Sequence, residues 1–123
     1  MPTTQELFKA AEQAKREADT TRLPESYEAA IKKYQELLAA DDKHVIGHMT
    51  LAVLYGKVGK HREAIEHSER ACQLEPDEVF NYSALSTTYQ RAFEATQDRQ
   101  YIFKAEEAKM KGQELQWRKS QGG

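Results

Sequence analysis

The chain has 123 residues, 39% of them hydrophobic and 31% charged, with a formal net charge of −2. That is enough for one domain able to bury roughly two-thirds of its unfolded surface. So balanced a charge offers no basic field to nucleic acid or an anionic membrane, and no apolar run approaches the ~20 residues of a membrane span.

The N-terminus, MPTTQELFKAAEQ, lacks the basic start and apolar stretch of a secretory signal, so cytoplasmic residence is the expectation. Thr3 with Glu6 three residues on makes a capping box. Leu7, Ala10, Ala11, Ala14 and Ala18 then form a narrow apolar stripe down to Asp19. Asp19-Thr20-Thr21-Arg22-Leu23 reads as a lengthened turn, and Pro24 suits the first turn of a second helix, where a missing N–H is harmless. Tyr27, Ala30, Ile31, Tyr34, Leu37 and Leu38 make the apolar face of that helix, and Asp41-Asp42 ends it.

The central repeat is expected to start at Asp42 or Lys43. Its His48, Leu51, Ala52 and Tyr55 recur at i, i+3, i+4, i+7, one face of a helix. Lys57-Val58-Gly59-Lys60 interrupts it. Ala64, Ser68 and Ala71 then recur with helical spacing, and Pro76 closes the segment. Small residues there let two helix backbones approach closely, with Tyr55 filling the space between them.

Asp77 is the expected cap of a fifth helix carrying Phe80, Tyr82, Leu85 and Tyr89 on to Phe93. Phe93 stands where the preceding segment has Gly59, so this helix is expected to overrun by about one turn and break near Thr96-Gln97-Asp98. Asp98 can cap a last helix from Arg99 to about Arg118. One face of it bears Tyr101, Ala105, Ala108, Gly112 and Leu115, and the other Lys104, Glu107, Lys111, Glu114 and Arg118. Trp117 is expected to lie over its last turn of packing.

The pattern repeats at a spacing of 34 residues. Val45, His48, Leu51, Ala52 and Tyr55 map onto Val79, Tyr82, Leu85, Ser86 and Tyr89. Ala64, Ile65, Ala71, Cys72 and Pro76 map back onto Ala30, Ile31, Leu37, Leu38 and Asp42. A large residue, then Leu-small-x-x-Tyr, two alanines and a proline at this period resembles the tetratricopeptide repeat. The resemblance is strongest over Val45–Glu78, good over Tyr27–His44 and Val79–Arg91, and weak outside. It implies an all-α superhelix of three helix-turn-helix units, six helices in all, whose concave face binds a ligand. The single domain then divides into an irregular first repeat at about 3–44, a second at about 45–78, and a third with a polar C-terminal capping helix at about 79–118. A terminal unit has no neighbour over its outer side, so that side is expected to be polar.

Candidate chemistry is sparse. Cys72 is the only cysteine, so no internal disulfide can form. Beside Ala71 on the packed side of its helix, it reads as a small apolar residue. His44 and His48 are i, i+4, a chelating spacing, but His48 takes the packing place of Tyr82 and no third ligand stands at metal-binding distance in sequence. His67 falls on the polar side of its helix. There is no phosphate loop, nucleophile elbow or His–Cys or His–Ser pairing, so neither an enzyme nor a cofactor is expected.

A second apolar stripe is more informative. Ile46, Met49 and Val53 lie on the helix whose first stripe is His48, Leu51 and Tyr55, and Phe80, Ala84 and Thr87 continue it one repeat later. Two stripes exceed what one hairpin contact requires. By resemblance these places face the concave groove, so an apolar or amphipathic segment of another protein is the expected ligand. Lys57, Gln90 and Arg91 form the expected rim. Met49, Thr50, Val53, Ser83, Ala84 and Thr87 are not the Lys, Arg and Asn with which related grooves clamp acidic C-termini. Two other readings stand beside this one: self-association through the same stripe, and a metal or catalytic role for His44 and His48.

Overall fold

The computed structural model describes residues 1–122. Among them are six helices and no strand: α1 (Thr4–Thr21), α2 (Pro24–Ala40), α3 (Val45–Lys57), α4 (His61–Leu74), α5 (Val79–Thr96) and α6 (Gln100–Gln121). Helices α1 and α2, α3 and α4, and α5 and α6 form the most extensive contacts, and α2 on α3 and α4 on α5 join one pair to the next.

The expected capping box opens α1: the Glu6 N–H donates to Thr3 Oγ1 at 3.1 Å and the Thr3 N–H to Glu6 Oε1 at 3.0 Å. The lengthened turn expected over Asp19 to Leu23 does not form. Helix α1 runs on to Thr21, and the reversal is confined to Arg22, in the left-handed region at φ 56°, and Leu23. Local side-chain bonds explain the extension. Lys15 Nζ pairs with Asp19 Oδ2 at 2.6 Å one turn on, and the Thr20 hydroxyl donates to the Arg16 carbonyl at 2.9 Å. Ala10, expected in the packed stripe, faces solvent. Phe8 is half-buried instead, its ring centroid 4.6 Å from that of His44.

His44 caps α3: its Nδ1 accepts the Gly47 N–H at 2.9 Å. A β-carbon at Gly47 would come within 3.1–3.2 Å of Leu37 and Leu38, so glycine lets α3 close on α2. Gly59 has φ +79°, a conformation glycine adopts without strain, and makes the tight α3–α4 turn. Asp77 does not cap α5, whose first residue follows Glu78 with no side-chain cap. Asp98 does serve α6, its Oδ1 accepting the Gln100 N–H at 3.0 Å. Helix α5 overruns α3 in length, 18 residues against 13, and ends at Thr96 with Gln97 left-handed.

Buried side chains form two clusters. One joins α1, α2 and α3 through Ala11, Ala18, Tyr34, Leu37, Leu51 and Leu54. The other joins α4, α5 and α6 through Ile65, Cys72, Tyr82, Leu85, Tyr89 and Leu115. Repeat-equivalent side chains make equivalent bonds. Gln35 Nε2 donates to the Tyr55 hydroxyl at 2.8 Å, and 34 residues on, the Tyr89 hydroxyl donates to Glu69 Oε2 at 2.7 Å. His48 Nε2 donates to the Asp42 carbonyl at 2.7 Å, and Tyr82 donates to the Pro76 carbonyl at 3.0 Å. Each pair ties one helix to the turn or helix before it, so the sequence repeat is a repeat of physical contacts. At the place of Gly47 the next repeat has Asn81, buried, whose Nδ2 donates to the Ala71 and Glu75 carbonyls at the end of α4.

Helix α6 buries Ala105, Ala108, Gly112 and Leu115. Lys104, Glu107, Lys111, Glu114 and Arg118 are exposed as expected, but at 100° per residue they lie only about a quarter-turn from the buried face. The side directly opposite that face carries Phe103, Met110 and Trp117, exposed at 69%, 65% and 63%. The outer side of the cap is therefore not uniformly polar, and Trp117 covers no packing.

Candidate binding groove

Between α3 and α5, with α4 beneath, lies an open cavity of about 400 Å³. Its walls follow from helical spacing. Met49, Val53 and Gly56 come from one side of α3, and Phe80, Ala84, Thr87 and Arg91 from the facing side of α5. Ala64 and Ser68 of α4 form part of its lining, because they are too small to fill the gap between the flanking helices. Phe80 is 64% exposed and Val53 42%. Apolar side chains at the surface thus converge on a depression instead of scattering, which is the arrangement that calls for explanation.

Of the nine expected groove residues, Met49, Val53, Phe80, Ala84, Thr87 and Arg91 line this cavity. Ile46, Lys57 and Gln90 do not. Ile46 is exposed one turn before Met49, and Lys57 is exposed at the end of α3. Gln90 is turned toward α6, its Nε2 donating to Ser86 Oγ at 3.4 Å, while Ser86 in turn donates to the Ala105 carbonyl at 2.9 Å. The sequence reading missed Lys15, which reaches the cavity from α1 although its ammonium pairs with Asp19, and His61 from the start of α4. Nothing in the 34-residue pattern marks either one, because the first repeat departs from it and the recurring residues of α4 begin only at Ala64.

His44, His48 and His67 are committed to packing. The Asp42 carbonyl can only accept, so His48 Nε2 carries the proton and Nδ1 is left as an acceptor. His67 Nδ1, 3.0 Å away, is its donor. His67 is not on a solvated face: its ring lies 5.2 Å from that of His48 and 5.6 Å from that of Tyr55, stacked on both. With His44 Nδ1 bound to Gly47 and both His48 nitrogens engaged, the His44–His48 pair does not converge on a common ion. No group of three or more His, Cys, Asp or Glu is placed to hold a metal among the described residues. Burial, reinforced by Glu69, pushes the Cys72 thiol up to about 11, so it is a thiol at neutral pH and not a thiolate nucleophile.

Burial, and secondarily the neighbouring His48, holds His67 below the usual imidazole range. The unfolded chain therefore binds more protons than the folded one just below that range. The contribution of His67 to stability is complete above about pH 6.5 and is lost as pH drops through that range toward the lower folded value. Urea midpoints are expected to decrease between pH 7 and pH 5. His67→Gln keeps a donor for His48 and cannot titrate, and is expected to flatten that slope. An unchanged slope would mean that other groups set the pH dependence.

No family model and no curated protein sequence matches the chain. Solved structures do match. MamA aligns over 90% of this chain at 20% identity with a TM-score of 0.67, and the chain spans 61% of the length of that MamA chain. The second TPR of Spaghetti (RPAP3), bound to the HSP90 peptide SRMEEVD, aligns over 85% of this chain and 91% of its own at 20% identity and TM-score 0.62. The Sgt2 TPR domain from Aspergillus fumigatus aligns over 91% and 80% at 24% identity and TM-score 0.53. The chain has the tetratricopeptide-repeat fold, an all-α superhelix of three helix-turn-helix units. Among the described residues no helix is long and apolar enough to cross a membrane.

Proposed function

We propose that the chain is a protein–protein interaction module that binds an apolar or amphipathic segment of another protein in the groove between α3 and α5. The observation that carries this reading is the convergence of Met49, Val53, Phe80 and Ala84 on one open cavity. These side chains supply the desolvated contact area, and Met49 adapts to ligands of differing shape. Arg91 at the edge of the cavity is the natural partner for a backbone carbonyl or an acidic side chain of the ligand. Ile46, Lys57 and Gln90, expected to contribute from the sequence, would act only with a ligand longer than the cavity.

The neighbour bound to SRMEEVD supports peptide binding as a use of this fold. The present groove differs in chemistry from one suited to an acidic tail: Lys15 already pairs with Asp19, leaving Arg91 as the guanidinium lining it. An apolar segment fits the lining better than a carboxylate-rich one.

Met49→Glu and Ala84→Glu test the reading. In the free protein either carboxylate faces water across an open cavity, so helicity and melting should hardly change. In a complex each would be buried without a partner, a penalty of several kcal/mol, so recovery of the ligand from lysate should fall at least tenfold. If both variants stay folded and keep the same ligand, the groove is not the working surface. Should the wild type instead have the mass of two chains, and the variants that of one, the stripe joins copies of this chain.

A further inference from the structure

We propose that the segment bound in the groove carries one acidic side chain beside its apolar residues, and that this carboxylate docks at the end of the groove where Arg91 and His61 stand. This deepens the reading of the groove as a binding site and rests on it. The two ends of the cavity differ. Helices α3 and α5 run the same way, because α4 reverses the chain between them, so one end of the cavity holds Met49 and Phe80 and the other Gly56, His61 and Arg91. Phe80 and Arg91 are eleven residues apart on α5, roughly 16 Å at 1.5 Å per residue.

Charge follows the same division. Among the described residues no carboxylate lines the cavity. Lys15 is taken by Asp19 at 2.6 Å, whereas Arg91 makes no ion pair among the described residues. His61 adds a ring N–H donor, and Lys57 and Lys60 stand exposed at the close of α3 and just ahead of α4. The carboxylates of this neighbourhood are placed elsewhere. Glu63 acts on His67, Asp98 accepts the Gln100 N–H, and Glu94 follows Arg91 by one turn of α5 without lining the cavity or pairing with it.

A wholly apolar segment would cover Arg91 and offer it nothing, so the guanidinium would have to turn out to water. A glutamate or aspartate at that place accepts a charge-assisted hydrogen bond from it. One such residue suffices. Farther along, the segment meets Met49, Phe80 and Ala84, and the cation in reach there, Lys15, is already paired. A side chain rather than a chain end fits the form of the cationic end. Gly56 leaves it unobstructed, since a β-carbon there would meet nothing within 4 Å, so a bound chain can run on past it.

The test uses synthetic peptides with a core of about five apolar residues, the span of the cavity in extended form, and uncharged polar tails blocked at both ends. They differ in one residue flanking the core, Glu, Gln or Lys. It precedes the core in one set and follows it in another, so that either direction of the bound chain is sampled. A further peptide has no acidic side chain and ends at that place in a free carboxylate. The methyl resonance of Met49, one of 3 methionines in the chain, reports contact in the groove. In the tighter set the Glu peptide is expected to bind about tenfold more tightly than the Gln peptide, the strength of one charge-assisted hydrogen bond, and the Lys peptide most weakly. Arg91→Gln should bring the Glu and Gln peptides to equal affinity. Arg91 is exposed, so that variant should melt with the wild type. Three results, each with Met49 still responding, overturn the proposal and leave the groove reading standing. They are equal binding of the Glu and Gln peptides, an advantage of Glu that survives in Arg91→Gln, or a free chain end that binds as well as Glu. If no peptide moves the Met49 resonance, the groove reading itself fails and the proposal with it.

Discussion

A chain ended at Asp98, without α6, is expected to be partly unfolded and to aggregate. Helix α6 covers Tyr82, Leu85, Tyr89 and Ala92, and the Ala105 carbonyl accepts the buried Ser86 hydroxyl. Exposing three large side chains costs about 1.5–3 kcal/mol each. Leaving Ser86 without its acceptor adds on the order of 1 kcal/mol. The sum is comparable with the whole stability of a typical domain, about 5–15 kcal/mol. Circular dichroism should show a loss of helix larger than the 22 residues removed, and sedimentation should show large species. A truncated chain that is monomeric, with α1 to α5 fully helical, would show that α6 is dispensable to the fold.

The fold was legible wherever a residue's place depends on its own helix and on one neighbour. Tyr55 and Tyr89, or His48 and Tyr82, recur at 34 residues because each must reach the same kind of partner, and the structure gives them corresponding bonds. The first turn was less legible. Asp19, Thr20 and Thr21 are weak helix formers taken singly, yet in place their side chains bond to Lys15, the Arg16 carbonyl and Ser26, which carries α1 onward. His67 shows the same limit. Its own helix marks it as polar, while the surface that half-buries it comes from α3.

The groove was legible from one side only. A stripe on α3 and its continuation on α5 can be read from periodicity, and Met49, Val53, Phe80, Ala84 and Thr87 do share a cavity. The depth of that cavity depends on Ala64 and Ser68 of α4, which the pattern identifies only as close-packing residues. Whether small residues close a gap or leave one is decided by the distance between helices, and no single-helix periodicity contains that distance. Phe103, Met110 and Trp117 escaped for a related reason. The polar stripe on α6 stands only about a quarter-turn from the buried one, so a two-sided division of the helix into apolar and polar faces leaves the third side out.

Leu51→Ala is expected to lower stability by about 2–5 kcal/mol, the range for truncating a buried leucine. Leu51 is 1% exposed and belongs to the cluster of Tyr34, Leu37, Leu54 and Tyr55, where α2, α3 and α4 meet. Removing its isobutyl group leaves a void that those side chains can close only by moving away from their own partners. The loss falls in the central pair and weakens the packing of α3 on α2 and α4 within a three-unit stack. For a chain of this length the melting temperature should fall by roughly 10 °C or more. Ile46→Ala on the same helix is the control. Ile46 is 57% exposed, so its truncation should cost about 0.5 kcal/mol or less, as at ordinary surface sites. Thermal and urea unfolding of the two variants beside the wild type measure the difference. Equal melting of the Leu51 variant and the wild type, or a larger loss at Ile46, would mean that the inward and outward faces of α3 are exchanged.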